Sequence, residues 1–347
     1  MHIPDGYLSP STCATFYVLA SSAWYSALKR IKALWLSRTI PLISVFAAFS
    51  FVVMMFNVPL PGGTSGHAVG VAVAAIVLGP WGSIVSVSIA LAIQALFFGD
   101  GGLTTLGANC FNMAVVGSFV AWWSYRAIAG SAAENSRRRI IAAAIAGYLA
   151  INAAAFVTAV EFGIQPTLFH DFNGAPLYAP YPLRIAIPAM MIGHLTLAGL
   201  AEGFLTGGMV SYLQKAHPKL LKSAAAPVGA SVDGGLILSP TEPLRKLWIT
   251  VALLMVATPL GILAAGTAWG EWSTAELAQH PTLAYGVPSG LQKLSGIWTA
   301  PFPSYAPAFI RNEFFGYLLS AMFGVGLLLS VSLVSAAVAR RRRTGGK

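Results

Sequence analysis

The sequence predicts an all-α polytopic membrane protein of about nine transmembrane helices, and three observations predict it. Of the 347 residues, 56% are hydrophobic and only 9% charged, against about 25% charged in soluble domains. Uncharged runs that can supply a span of about 20 residues recur along the chain. The basic residues fall in short clusters between those runs, as topology signals do. The net charge of +10 therefore reports orientation in a lipid bilayer, and no nucleic-acid partner is expected. No GxxxxGK[ST] loop is present to hold nucleotide phosphates.

The runs lie at 11–28, 39–57, 67–98, 103–125, 140–160, 185–201, 248–267 and 314–339. Residues 1–10 contain Pro4, Gly6, Ser9 and Pro10 and are not expected to be helical. They lack the basic start of a cleavable signal, so the first span is expected to be retained. Lys29, Arg30, Lys32 and Arg38 follow that span and place it amino-terminus outside. The run 67–98 exceeds one span, and Gly79-Pro80-Trp81-Gly82 divides it in two. The seventh helix passes Glu202 and continues to Tyr212. Nine alternating spans put 18 of the 21 Lys and Arg on the cytoplasmic side, together with the carboxyl terminus.

Three regions follow. Residues 1–212 form a seven-helix unit, 213–247 a cytoplasmic linker, and 248–347 a helical hairpin with an outer loop at 268–313. That loop holds Trp272, His280, Tyr285, Trp298 and Tyr305. Cys13 and Cys110 lie in apolar surroundings outside any metal or redox pattern and read as buried thiols. No internal repeat supports an inverted-repeat transporter.

The chemistry begins at the amino terminus. A His at position 2 puts three nitrogens in chelating order: the Met1 amine, the His2 amide and the His2 imidazole. Nitrogen donors in a plane favour Cu(II) or Ni(II), and a fourth corner needs another imidazole. His67 follows the non-helical stretch 57–66 on the same outer side. It opens a helix too short to cross the ~30 Å hydrocarbon core, so its loop is expected to dip inward and line a pocket. Taken singly, His2 reads as a solvated terminus and His67 as a hydrogen-bonded pore residue. Together, Met1, His2 and His67 form a concrete metal site.

Three motifs carry a resemblance: Met1-His2-Ile3-Pro4-Asp5-Gly6-Tyr7-Leu8-Ser9-Pro10, Gly62-Gly63-Thr64-Ser65-Gly66-His67, and Gly101-Gly102-Leu103-Thr104-Thr105-Leu106-Gly107-Ala108-Asn109. Over residues 1–212 the chain resembles the NikM/CbiM family, the substrate-binding S components of energy-coupling-factor (ECF) transporters for nickel and cobalt. The resemblance implies a seven-helix S component whose Met1 amine, His2 amide and imidazole and His67 imidazole hold Ni(II) or Co(II) as transported substrate. It implies a multi-pass protein of a prokaryotic plasma membrane, with no catalytic cofactor and no enzymatic activity of its own. ATP hydrolysis would fall to separate cytoplasmic ATPase subunits, acting through a transmembrane coupling (T) component. Residues 244–340, with Leu260-Gly261-Ile262-Leu263 at their centre, resemble the two-helix N component that aids metal loading.

Thr104, Thr105 and Asn109 read either as hydrogen-bonding supports for the ligand imidazoles or as caps of the fifth helix. Asp5 either holds the His2 ring or caps a turn, and Ser65 has the same two readings. His194 and Glu202 are ionisable groups inside the seventh span, functional candidates by position. They are about 12 Å apart along a helix. Glu202 is expected toward the cytoplasmic side, against another helix or a partner subunit. The Ala23–Ala27 stretch and the Ala-rich 142–155 suit close helix packing, internal or with the coupling subunit. Trp122, Trp123 and Trp298 read as interfacial anchors.

Two other function classes fit less well. An intramembrane hydrolase needs HExxH or a buried Ser/His or Asp pair, and no Glu or Asp beside one His has a second His at that spacing. A passive cation channel needs polar faces along several helices, and spans 2, 6 and 9 have none. Four nitrogens in a plane suit low-spin Ni(II), while Co(II) fits the same spacing.

Overall fold

Apolar runs with no water to bond their backbone must satisfy it internally, and here they do so as helices. The computed structural model describes residues 1–33, 36–60, 64–222, 242–263, 273–279, 286–307 and 309–344. Helix α1 (Pro10–Ala33) starts where the Ser9 hydroxyl accepts the Thr12 amide at 3.1 Å. Helix α2 (Leu36–Met54) leads to strands β1 (Val58–Leu60) and β2 (Thr64–Gly66), paired antiparallel with Val58 opposite Gly66. Helix α3 (Val71–Phe98) is broken at Gly79, whose φ of 73° is left-handed, and Pro80 follows. There follow α4 (residues 106–129), α5 (Arg137–Leu168), α6 (Leu183–Ala216), α7 (Glu242–Ala257) and α8 (Glu313–Thr344).

The break at Gly79 is a reversal. The Ser83 hydroxyl donates to the Val71 carbonyl at 3.2 Å, although a straight helix would set them about 18 Å apart. The split expected at Gly79-Pro80 therefore falls there, and the first arm of α3 has only the residues from Val71 to Leu78. Among the described residues, five stretches are long and apolar enough to cross a membrane: Val71–Phe98, Arg137–Leu168, Leu183–Ala216, Arg245–Ile262 and Glu313–Val334. Ile40–Met54 is a shorter apolar helix. The all-α polytopic class is as expected. The short β1–β2 hairpin was not, because its Pro and Gly content hides strand periodicity.

Small residues set the packing. Ala142, Ala146 and Ala150 are buried, and a Cβ on Gly147 would meet the Thr206 hydroxyl at 2.6 Å, so α5 and α6 approach closely. The Ala-rich face is thus used internally. Ile141, Ile145, Leu149 and Phe156 on the other side of α5 are exposed, as a lipid-facing surface requires. Trp122 is buried with the Arg126 guanidinium 5.1 Å from its ring, so it is a packing residue, not an interfacial anchor; Trp123 is exposed.

The C-terminal helices pack on the rest of the bundle. Tyr317 on α8 donates to the Met55 carbonyl at 2.6 Å, and Trp298 donates to the Leu96 carbonyl at 3.0 Å. The linker stretch 223–241, Gly62, Gly63, Trp272, His280 and Tyr285 lie outside the described residues.

Candidate metal centre

Residues 1–9 enter the bundle as a non-helical segment that turns at Asp5-Gly6, and the loop before α4 holds them. The Ile3 amide donates to Asn109 Oδ1 at 2.8 Å, and Asn109 Nδ2 returns a bond to the Ile3 carbonyl at 3.0 Å. That carbonyl also accepts from Thr105 Oγ1 at 2.5 Å and from the Gly102 amide at 2.9 Å. Asp5 accepts the Leu103 amide at 3.1 Å, the Thr104 amide at 2.7 Å and the Thr104 hydroxyl. A Cβ on Gly102 would collide with the Asp5 backbone nitrogen, so this close approach requires glycine. Ser9 and Tyr7 are tied in turn: the Ser9 amide donates to Gln165 Oε1 at 3.0 Å, and the Tyr7 carbonyl accepts the Ala179 amide at 3.0 Å.

These contacts decide between the two readings of the supporting residues. Thr104, Thr105, Asn109 and Asp5 bond the amino-terminal peptide and its docking loop. None of them makes a hydrogen bond to the His2 or His67 ring. Asp5 caps the turn before α4, not the imidazole. Ser65 touches the terminus itself: the Met1 amine donates to its carbonyl and its hydroxyl, each at 3.1 Å.

The two imidazoles meet beneath this segment. The rings of His2 and His67 stack with centroids 4.8 Å apart and planes 18° apart. Met1, His2, Ile3 and His67 are all buried, none more than 2% exposed. His67 Nδ1 lies 3.1 Å from the Ala68 carbonyl, which assigns the ring proton to Nδ1 and leaves Nε2, with no hydrogen bond, as the lone-pair nitrogen. Burial foremost, then the nearby His2 and the amino terminus, push this imidazole well below its ordinary pKa. It is neutral, the state a metal ligand needs.

Three residues need a new reading. Asp100, which motif reasoning passed over, sets Oδ1 2.8 Å from His2 Nδ1. Burial disfavours its charge, but the His2 ring and the Tyr305 hydroxyl outweigh burial and hold the carboxyl well below the usual range. The signal lay in an acid at the end of an apolar run, one residue before Gly101-Gly102. Glu202 bonds the His67 loop, where another helix or a partner subunit was expected. Its carboxylate accepts the Val69 amide at 2.7 Å and the Gly70 amide at 2.9 Å, level with the His67 loop, because that loop dips into the bundle. It caps the first arm of α3. His194 Nδ1 lies 2.8 Å from the Met190 carbonyl in its own helix, Nε2 makes no hydrogen bond, and its segment packs against β2.

Over residues 2–220 the chain matches the CbiM family, described as the cobalt uptake substrate-specific transmembrane region. The chain belongs to this family. A second match, to the PDGLE domain, covers residues 245–341 of this CbiM-family protein. The fused nickel transport protein NikMN of Rhodobacter capsulatus is 47% identical to it, over 99% of this chain and 100% of the relative. The probable fused nickel transport protein LarMN of Lactiplantibacillus plantarum is 38% identical over 95% of each. A crystal structure of a truncated transition metal transporter aligns with a TM-score of 0.59 at 48% identity, over 61% of this chain and 98% of that one. With its apolar helices, this CbiM-family chain is a multi-pass prokaryotic membrane protein.

Proposed function

We propose that this chain is the metal-capturing subunit of an ECF-type importer, and that it takes Ni(II) from outside the cell. The observation that carries the reading is the buried pair of stacked imidazoles beside the Met1 amine. Three of the four nitrogens come from two consecutive residues. His2 Nδ1, not Nε2, closes a six-membered ring with its own amide nitrogen, and His67 Nε2 supplies the fourth corner. Four nitrogens in a plane suit low-spin Ni(II). Co(II) is the second reading, favoured by the description of the matched family; two relatives that align over nearly the whole chain bear nickel in their names.

Residues 1–212 would then form the S component, 213–247 a cytoplasmic linker and 248–347 the fused N-like unit. The sequence holds no phosphate-binding loop of the GxxxxGK[ST] type that could couple ATP hydrolysis to release of the metal. We assign that work to separate ATPase subunits and a transmembrane coupling component.

The test is metal content and visible absorption of protein purified from medium with equal nickel and cobalt. Wild type is compared with His2→Ala, His67→Ala and a variant with one residue added before Met1. A single tightly held ion, lost in all three variants, is the expected result and names the metal. Variants that keep the ion sink the chelate.

A further inference from the structure

Among the described residues of the loop between α7 and α8, Tyr305 reaches the carboxylate beside His2. Tyr305 donates its hydroxyl to Asp100 Oδ2 at 2.6 Å, and Gln94 Nε2 donates to the same hydroxyl at 2.8 Å. The other carboxylate oxygen is the one 2.8 Å from His2 Nδ1. Tyr305 is buried, and its ring stacks on Phe98 with centroids 4.7 Å apart. Its backbone is strained: Ser304 has φ 53° and Tyr305 φ 60°. Non-glycine residues hold that left-handed region only where surrounding structure imposes it, and such strain gathers at functional sites. The surrounding structure here includes Ser320 on α8, whose hydroxyl donates to the Tyr305 carbonyl at 2.9 Å.

We propose that Tyr305 is a positioning residue for metal capture, acting through Asp100 on the His2 imidazole. The inference rests on the amino-terminal chelate proposed above. A chain terminus is ordinarily mobile, and ordering it is part of the cost of binding a metal there. With Oδ2 fixed by Tyr305 and Gln94, Asp100 keeps Oδ1 beside Nδ1 of the metal-free ring and yields that nitrogen when the ion takes the place of its proton. The ring is thereby kept stacked on His67, and a negative charge stands where a divalent cation arrives. Tyr305 thus prepares the site through its hydroxyl, without itself ligating the ion.

The experiment uses full-length, metal-free protein titrated with Ni(II) against a coloured chelator. Tyr305→Phe keeps the ring and its stacking and removes the hydroxyl. It is expected to weaken Ni(II) binding about ten- to a hundredfold, the scale of one hydrogen bond to a charged group. In an Asp100→Asn background the same change is expected to add less than about twofold, the mark of residues acting as a unit. A merely structural tyrosine would weaken binding equally in both backgrounds, and that result, or wild-type binding by Tyr305→Phe, overturns the proposal. Should Asp100→Asn bind no nickel at all, the ¹⁵N resonances of the His2 ring in metal-free protein decide. They shift in Tyr305→Phe if the relay exists, and an unshifted ring refutes it. His2→Ala separates the two levels: nickel binding retained in that variant removes the chelate itself. Nickel lost there but unchanged in Tyr305→Phe removes only the role of Tyr305.

Discussion

Asn109→Ala tests whether the metal centre depends on the docked amino terminus. The amide of Asn109 makes two buried bonds to Ile3, at 2.8 and 3.0 Å. Each is worth about 1 kcal/mol net, and leaving the Ile3 N–H buried without an acceptor adds about 1–2 kcal/mol. The Ile3 carbonyl keeps Thr105 and Gly102 and is not orphaned. The sum, about 3–4 kcal/mol, falls on the docked state of residues 1–9. Metal bound only in that state should therefore be held roughly 100- to 700-fold more weakly. The assay is competition with a chelator of known affinity, paired with thermal melting in excess chelator. Melting should move little, because the helices of the bundle do not rest on this contact. Metal affinity within about threefold of wild type, at unchanged melting, would refute the link between docking and capture.

Other outcomes follow from the same geometry. Gly102→Ala drives a Cβ into the Asp5 backbone and should abolish metal retention while the protein still inserts and purifies; normal metal content would show that the segment can dock elsewhere. Glu202→Gln keeps the shape but discharges the acceptor of the Val69 and Gly70 amides. It should cost about 1–2 kcal/mol at the start of α3, read as lower metal affinity and faster amide exchange at residues 67–72. Unaltered exchange there would dissociate Glu202 from the His67 loop. The chelate needs a neutral Met1 amine and a deprotonated His2 amide, so binding must release protons. Apparent affinity should climb with pH, and calorimetry in buffers of different ionisation enthalpy should register the released protons. A pH-independent affinity would exclude the amide as a ligand.

The sequence told most about groups whose position is set locally. His2 and Met1 are chelating neighbours by covalent geometry alone, and Gly79-Pro80 can only interrupt a helix. The inward dip before α3 was likewise readable from its Pro and Gly content. What escaped were partnerships across the chain. Glu202 was placed by counting along one helix, which says nothing of how deep a neighbouring loop descends. Asp100 and Tyr305 lie 205 residues apart, and no periodicity links an acid at a helix end to a tyrosine in a distant loop. Thr105 and Asn109 were expected to support the imidazoles or cap a helix, but their partner is the Ile3 peptide, which a pattern of side chains does not reveal.

The burial of His2 and His67 under residues 3–8 has a kinetic consequence. If these residues hold nickel as proposed, an ion cannot leave or enter while that segment is seated, and exchange proceeds at the rate at which the segment lifts away. Above a modest nickel concentration, uptake by the isolated protein should level off at this opening rate and stop responding to added metal. Dissociation should be slow for the same reason, giving a residence time set by the peptide's grip, through Asn109, Thr105 and Asp5, as much as by the metal–nitrogen bonds.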